Sequence, residues 1–123
     1  QDGRKVGRMY LRPGNLYKDF IVEKKDRSIS SRGRAKSGYN DEGEKIRGVL
    51  AEAKPQEKER WRQLQHPISH VIVQKGKPKA APEDRLVFGD RIFFIQGVDE
   101  PGALGLWTIY YVEERFDGHE YQD

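Results

Sequence analysis

The stretch 85-RLVFGDRIFFIQGVDEPGALGLWTIYYVEER-115 holds three consecutive apolar runs separated by two turn signals, and none of the runs carries helical spacing. It reads as three antiparallel strands. Between Leu86-Val87-Phe88 and Ile92-Phe93-Phe94-Ile95 lies Gly89-Asp90, a pair that supplies the positive φ required at the first position of a two-residue type II′ hairpin turn. The second break, Gly97 to Gly105, combines Asp99, Glu100, Pro101 and further glycine, and is expected to be a longer loop into the last strand.

Outward from this stretch, the sequence predicts three more strands. Leu16 to Glu23 sets Leu16, Phe20 and Val22 on one side and Tyr17 and Ile21 on the other. Lys45 to Ala53 has strand character through Ile46, Val49 and Leu50, and Ile68 to Gln74 places apolar residues on both faces. Between these two, residues 55–65 are predicted to form one short helix, with Pro55 at its first position, Trp61 and Leu64 on one face, and Pro67 beyond its end. The connection 75-KGKPKAAPE-83 is rich in Pro and Lys.

No helix has the length that crossovers between parallel strands demand, so the predicted class is mainly β: a small antiparallel barrel or sandwich of six strands over 16–115. Residues 1–15 read as a flexible basic N-terminal arm and 116–123 as an acidic C-terminal tail. Residues 26–43, DRSISSRGRAKSGYNDEG, read as a long loop, too polar and too long for an ordinary hairpin connection.

Charge is unevenly spread over the 123 residues, although 23 Lys and Arg against 20 Asp and Glu leave a formal excess of only +3. Lys24, Lys25, Arg27, Arg32, Arg34 and Lys36 face Asp26 alone, whereas Glu113, Glu114, Asp117, Glu120 and Asp123 face only Arg115. Such polarity suits either a polyanion at one end and another partner at the other, or a head-to-tail assembly. Charged residues are 35% of the chain and apolar ones 35%, so the core is thin and oligomerisation is an expected source of further stability.

The absence of cysteine excludes a disulfide framework and thiolate metal sites, and fits a reducing compartment. No apolar stretch approaches the roughly 18 residues of a spanning helix, and no membrane partner is expected. Asp41, Glu52 and Lys54 imitate the acid and lysine pattern of a metal-dependent nuclease, but the spacing is short and Lys54-Pro55 is explained as a helix start. His66, His70 and His119 share no ligand spacing. Ser69 and His70 are neighbours expected on opposite sheet faces, which leaves no triad. No catalytic residue, metal or cofactor is expected.

The order of elements, with Ser69-His70 opening one strand and Asp84-Arg85-Leu86, Gly89, Arg91, Phe93, Ile95 and Val98 forming the closing hairpin, resembles the head-tail joining family of tailed bacteriophages, also called head closure or stopper proteins. The similarity spans roughly residues 16 to 115. It implies a β-barrel virion component, assembled in the host bacterial cytoplasm into a hexameric or dodecameric ring in the neck. Such a ring lies beneath the portal and adaptor, meets tail proteins below, and closes the DNA exit channel.

The resemblance makes the long loop the channel-facing or partner-clasping element, with Lys24, Lys25, Arg27, Arg32, Arg34, Lys36 and Tyr39 as its candidate residues. Repeated around a ring, these cations would contact double-stranded DNA through phosphates only, because Tyr39 is the sole aromatic among them. On the helix, Glu57, Glu59, Arg60, Arg62 and Trp61 are candidate subunit-interface residues. A small OB-like or SH3-like nucleic-acid-binding module and a tail terminator of the same virion neck are the competing readings.

Overall fold

The structure is a computed structural model that describes residues 16–26 and 38–116, apart from the Glu42 side chain. The arm 1–15, the loop residues Arg27, Arg32, Arg34 and Lys36, and the segment 117–123 lie outside the described residues.

Six strands form: β1 (Tyr17–Lys25), β2 (Tyr39–Glu52), β3 (His70–Lys75), β4 (Arg85–Phe88), β5 (Arg91–Asp99) and β6 (Trp107–Arg115). They close into a barrel in the order β1-β2-β3-β6-β5-β4, with every pairing antiparallel. Closure comes from β4 returning to β1, where Ile21, Val22 and Glu23 face Val87, Leu86 and Arg85. Of the two architectures expected, the barrel is the one formed. Closing removes the sheet edges that a sandwich would leave open.

Inside, Phe20, Val22, Ile46, Ile72, Leu86, Phe93, Ile95, Tyr110 and Val112 make one continuous core. Each strand contributes alternate residues to it, so the period-2 pattern in the sequence is the packing itself. Phe20 meets Phe93 edge-on at 6.0 Å between ring centroids. Fully burying such a side chain contributes about 1.5–3 kcal/mol.

The hairpin between β4 and β5 is as the sequence predicts, with Gly89 at φ +62°. The loop expected over 26–43 is shorter at its far end: β2 begins at Tyr39, where Tyr39, Asn40 and Asp41 pair with Lys25, Lys24 and Glu23. Asn40 and Asp41 are exposed and are strand because β1 supplies hydrogen-bond partners, while Tyr39 is half-buried. The register then breaks, leaving 42–44 opposite Val22 alone. Gly43 takes φ +87° in this bulge, and its N–H donates to Asp41 Oδ1 at 2.8 Å.

The break expected at Gly97 is also displaced, since β5 runs on to Asp99 and the loop proper is 100–106. Gln96 is the extra residue of a second bulge, after which Gly97 faces Tyr111. Gly97 therefore seats a neighbour instead of turning the chain. The helix α1 (Pro55–Gln63) stops two residues short of the expected end, and Leu64 is left exposed.

Candidate docking surfaces

Where the long loop leaves the barrel, strand register gathers residues from five strands on the outer wall. Tyr39 and Phe94 meet edge-on with centroids 5.9 Å apart. The Arg85 guanidinium lies 4.1 Å above the Tyr39 ring and that of Arg115 lies 4.4 Å above Phe94, while Lys25 Nζ stands 5.9 Å from the Tyr39 ring. Beside them opens a cleft of ≈ 250 Å³ lined by Lys25, Tyr39, His66, Glu83, Phe94 and Arg115, among others.

The two guanidinium groups here are already matched. Glu23 accepts from Arg85 Nε at 2.6 Å and Glu113 from Arg115 Nε at 2.8 Å. Stacked, paired guanidinium groups over rings are stiff and planar, the kind of surface that anchors protein contacts. A passing polyanion gains less from cations that already hold carboxylates.

Asp84 fixes this wall from within. Its carboxylate is buried, and it accepts the Lys25 N–H at 2.8 Å and the Ala81 N–H at 2.9 Å. Its own carbonyl accepts from Ile95 N–H at 2.9 Å. One residue thereby ties the end of β1, the connector 76–84 and β5 together, the first two through its carboxylate and the third through its carbonyl. The same connector is held by a second buried set, in which Tyr110 Oη donates to Gln74, the Lys79 N–H donates to Tyr110 Oη at 2.9 Å, and Thr108 Oγ1 donates to the Gly76 carbonyl at 2.8 Å. Burial pushes the Tyr110 hydroxyl up to about 12.

The helix residues put forward from the sequence are divided among several tasks. Trp61 stacks on Tyr111 with centroids 4.9 Å apart, and its ring covers Gly97 so closely that a Cβ there would run into it. Glu57 caps the helix by accepting the Lys54 N–H at 3.2 Å. Glu59 accepts from Arg62 Nη2 at 2.6 Å, which holds the Glu59 carboxyl below its ordinary range, and Arg60 is exposed. Lys24 and Lys25 are half-buried members of β1, and Tyr39 opens β2. Strand pairing brings Lys25 and Tyr39 together; it does not bring the helix residues to them.

Ser69 and His70 do not point apart. Ser69 precedes β3, so its Oγ lies 2.8 Å from His70 Nδ1 and accepts the Glu114 N–H at 2.8 Å. Burial lowers the His70 pKa, and its ring stands edge-on to Phe93 at 5.6 Å. Glu114 is held by Arg91 in a two-pronged pair at 2.8 and 2.9 Å, which lowers its pKa. This cluster joins β3 to β6. Among the described residues no group of three His, Asp or Glu side chains is placed to hold a metal.

A second surface went unseen in the sequence. Leu104 is 70%, Leu106 58% and Trp107 41% exposed, forming an apolar ridge on the loop 100–106 and the first residue of β6. The glycines around them read as turn chemistry. The signal was two leucines in a loop with no alternating partner to bury them.

No family model matches the chain, and no curated protein matches it. Among solved structures, it is similar to a chain described as belonging to the virion of a native gene transfer agent (GTA) particle, with 20% identity and a TM-score of 0.52. The alignment covers 80% of this chain and 94% of that one. At this identity the likeness is one of fold.

Proposed function

We propose that this chain is a structural virion protein of a phage-like particle, acting as the head closure or stopper ring of the neck. It joins the portal and adaptor to the tail and helps retain packaged DNA. One observation carries the reading: the barrel and its order of elements match nearly the whole length of a chain from a virion. The resemblance of the closing hairpin to the head-tail joining family points the same way.

The mechanism is mechanical and not enzymatic. Asp84 and the β1–β2 pairing hold both ends of the basic segment on one barrel wall. That fixed root lets Arg27, Arg32, Arg34 and Lys36 be delivered toward DNA or a neighbouring ring while the body keeps its shape.

The test is reconstitution. Purified chain mixed with portal and adaptor rings is expected to form a capped ring visible by electron microscopy, and particles carrying Arg32→Glu with Arg34→Glu are expected to lose DNA while the subunit folds normally. Normal infectious particles from that double variant would remove the loop from the mechanism. Tight, salt-dependent binding of single-stranded nucleic acid by the isolated chain would favour a nucleic-acid-binding module instead.

A further inference from the structure

The loop 100–106 that carries the apolar ridge is tied by two backbone hydrogen bonds. The Ala103 N–H donates to the Glu100 carbonyl at 2.8 Å, and Ala103 takes φ +53°. The Gly76 N–H donates to the Leu106 carbonyl at 2.8 Å, so the loop is pinned to the start of the connector. Leu104 and Leu106 are therefore presented, not loosely collapsed.

Two lysines flank the ridge. Lys75 is the register partner of Trp107, and the Lys77 stem lies over Gly105, where an added Cβ would stand 3.1 Å from its Cε. Lys79, further along, is 3.9 Å from Glu44. Neither Lys75 nor Lys77 forms an ion pair among the described residues. Asp99, the last residue of β5, pairs in register with Ile109, and its charge acts on the Tyr111 hydroxyl. The ridge thus offers apolar surface beside free positive charge, which calls for a segment that alternates rings with carboxylates.

The chain itself contains one. Phe116 is 72% exposed at the end of β6, and Asp117, Glu120, Tyr121 and Asp123 follow with no Lys or Arg among 117–123. Trp107 and Arg115 are the two ends of β6, so ridge and acidic segment leave opposite ends of a nine-residue strand. At about 3.3 Å per step those ends stand roughly 26 Å apart. Glu120, four residues past Phe116, reaches at most about 14 Å. A subunit therefore cannot lay the Asp117 or Glu120 carboxylate on its own ridge.

We propose that the ridge Leu104, Leu106 and Trp107 with Lys75 and Lys77 is the receiving half of a head-to-tail contact, and that its occupant is segment 116–123 of a second copy. The inference rests on the virion reading and gives its copy-to-copy contact a residue basis. A contact between different surfaces of identical subunits is heterologous and propagates, closing into a ring where the rotation permits. Salt weakens its charged part and leaves its apolar part.

Sedimentation of the full chain tests this with three variants whose folding is checked by circular dichroism. Leu104→Ser with Leu106→Ser is expected to weaken self-association about tenfold or more. Lys75→Glu with Lys77→Glu is expected to do the same, and adding Asp117→Lys with Glu120→Lys to that variant is expected to restore it. Folded variants that associate like the parent, or a charge exchange that restores nothing, overturn the proposal. So does binding of the ridge to anionic phosphatidylserine vesicles with self-association untouched. Variants that still cap portal–adaptor rings normally would strike this contact alone, whereas a parent chain that neither self-associates nor joins those rings would strike the virion reading.

Discussion

Two regions of this barrel invert the usual distribution of polarity, and they do so for opposite reasons. Beneath the connector 76–84, Asp84, Gln74 and Thr108 are buried, and each is held by hydrogen bonds. On the loop 100–106, leucines stand in water although polar residues would cost nothing there. The buried polar set is explained within one subunit, because it fastens the long irregular segment between β3 and β4 onto the closed barrel. The exposed apolar set has no such explanation inside the subunit. Stability of the single chain should therefore respond strongly to changes in the first region and hardly at all to changes in the second.

The sharpest way to break that contrast is Asp84→Ala. It removes the charged acceptor of the part-buried Lys25 and Ala81 N–H groups, and a hydrogen bond to a charged group contributes about 1.5–3 kcal/mol, so a loss of roughly 2–5 kcal/mol is expected. Urea denaturation measures it. A loss below about 0.5 kcal/mol would mean that Asp84 is dispensable and that the connector is held by other means.

Next in size is Gly97→Val, which drives a branched side chain into the Trp61 ring. Overpacking of this kind costs about 1–3 kcal/mol. The helix is expected to detach from the β5 bulge before the barrel opens, so tryptophan fluorescence should change while the strand signal in circular dichroism persists. Simultaneous loss of both signals would show that α1 is integral to the barrel.

These two sites show where the sequence was legible. Gly89-Asp90 announced its hairpin because a two-residue turn needs a positive φ and the flanking apolar runs fix the register. Among the described residues, the six strands and the helix α1 followed from apolar periodicity and the Pro55 start. The start of β2 did not, because Asn40 and Asp41 have no buried face, Tyr39 stands alone beside them, and the three become strand by pairing with β1. Gly97 carried the same ambiguity, since a glycine that bends the chain and a glycine that admits an indole ring look identical in a sequence.

The docking wall was half visible. Lys25 and Tyr39 stood out as neighbours of a basic run, yet Arg85, Phe94 and Arg115 come from three other strands, and only closure of the barrel gathers them. Trp61 was placed on the correct face of its helix, but its partners Tyr111 and Gly97 are far away in the chain. Long-range register decides such contacts, and a single sequence carries no direct record of it.

A smaller effect probes the buried set through pH. The Tyr110 hydroxyl titrates at about 12 in the folded protein against 10.0 ordinarily, because burial disfavours the phenolate. The unfolded chain therefore releases this proton first as pH rises. Stability from Tyr110 is complete below about pH 10 and is lost as pH climbs toward 12. Tyr110→Phe is expected to cost about 1 kcal/mol near neutral pH by freeing Gln74 and the Lys79 N–H, and to flatten this alkaline decline. Parallel pH profiles for the two proteins would show that the hydroxyl is not what the connector depends on.

The smallest expected effect is the one that completes the contrast. Leu104→Ser with Leu106→Ser removes two side chains that are 70% and 58% exposed, so little buried area is lost. Thermal unfolding at low protein concentration should shift by no more than about 0.5 kcal/mol equivalent, within the range of ordinary surface substitutions. The backbone bond from Gly76 N–H to the Leu106 carbonyl involves no side chain and survives the change. A marked loss of monomer stability would mean that the leucines pack within the subunit in solution, and the asymmetry between the two regions would vanish. An unchanged monomer would instead leave the ridge without a role in folding, so that its persistence in water has to be accounted for by something the barrel meets.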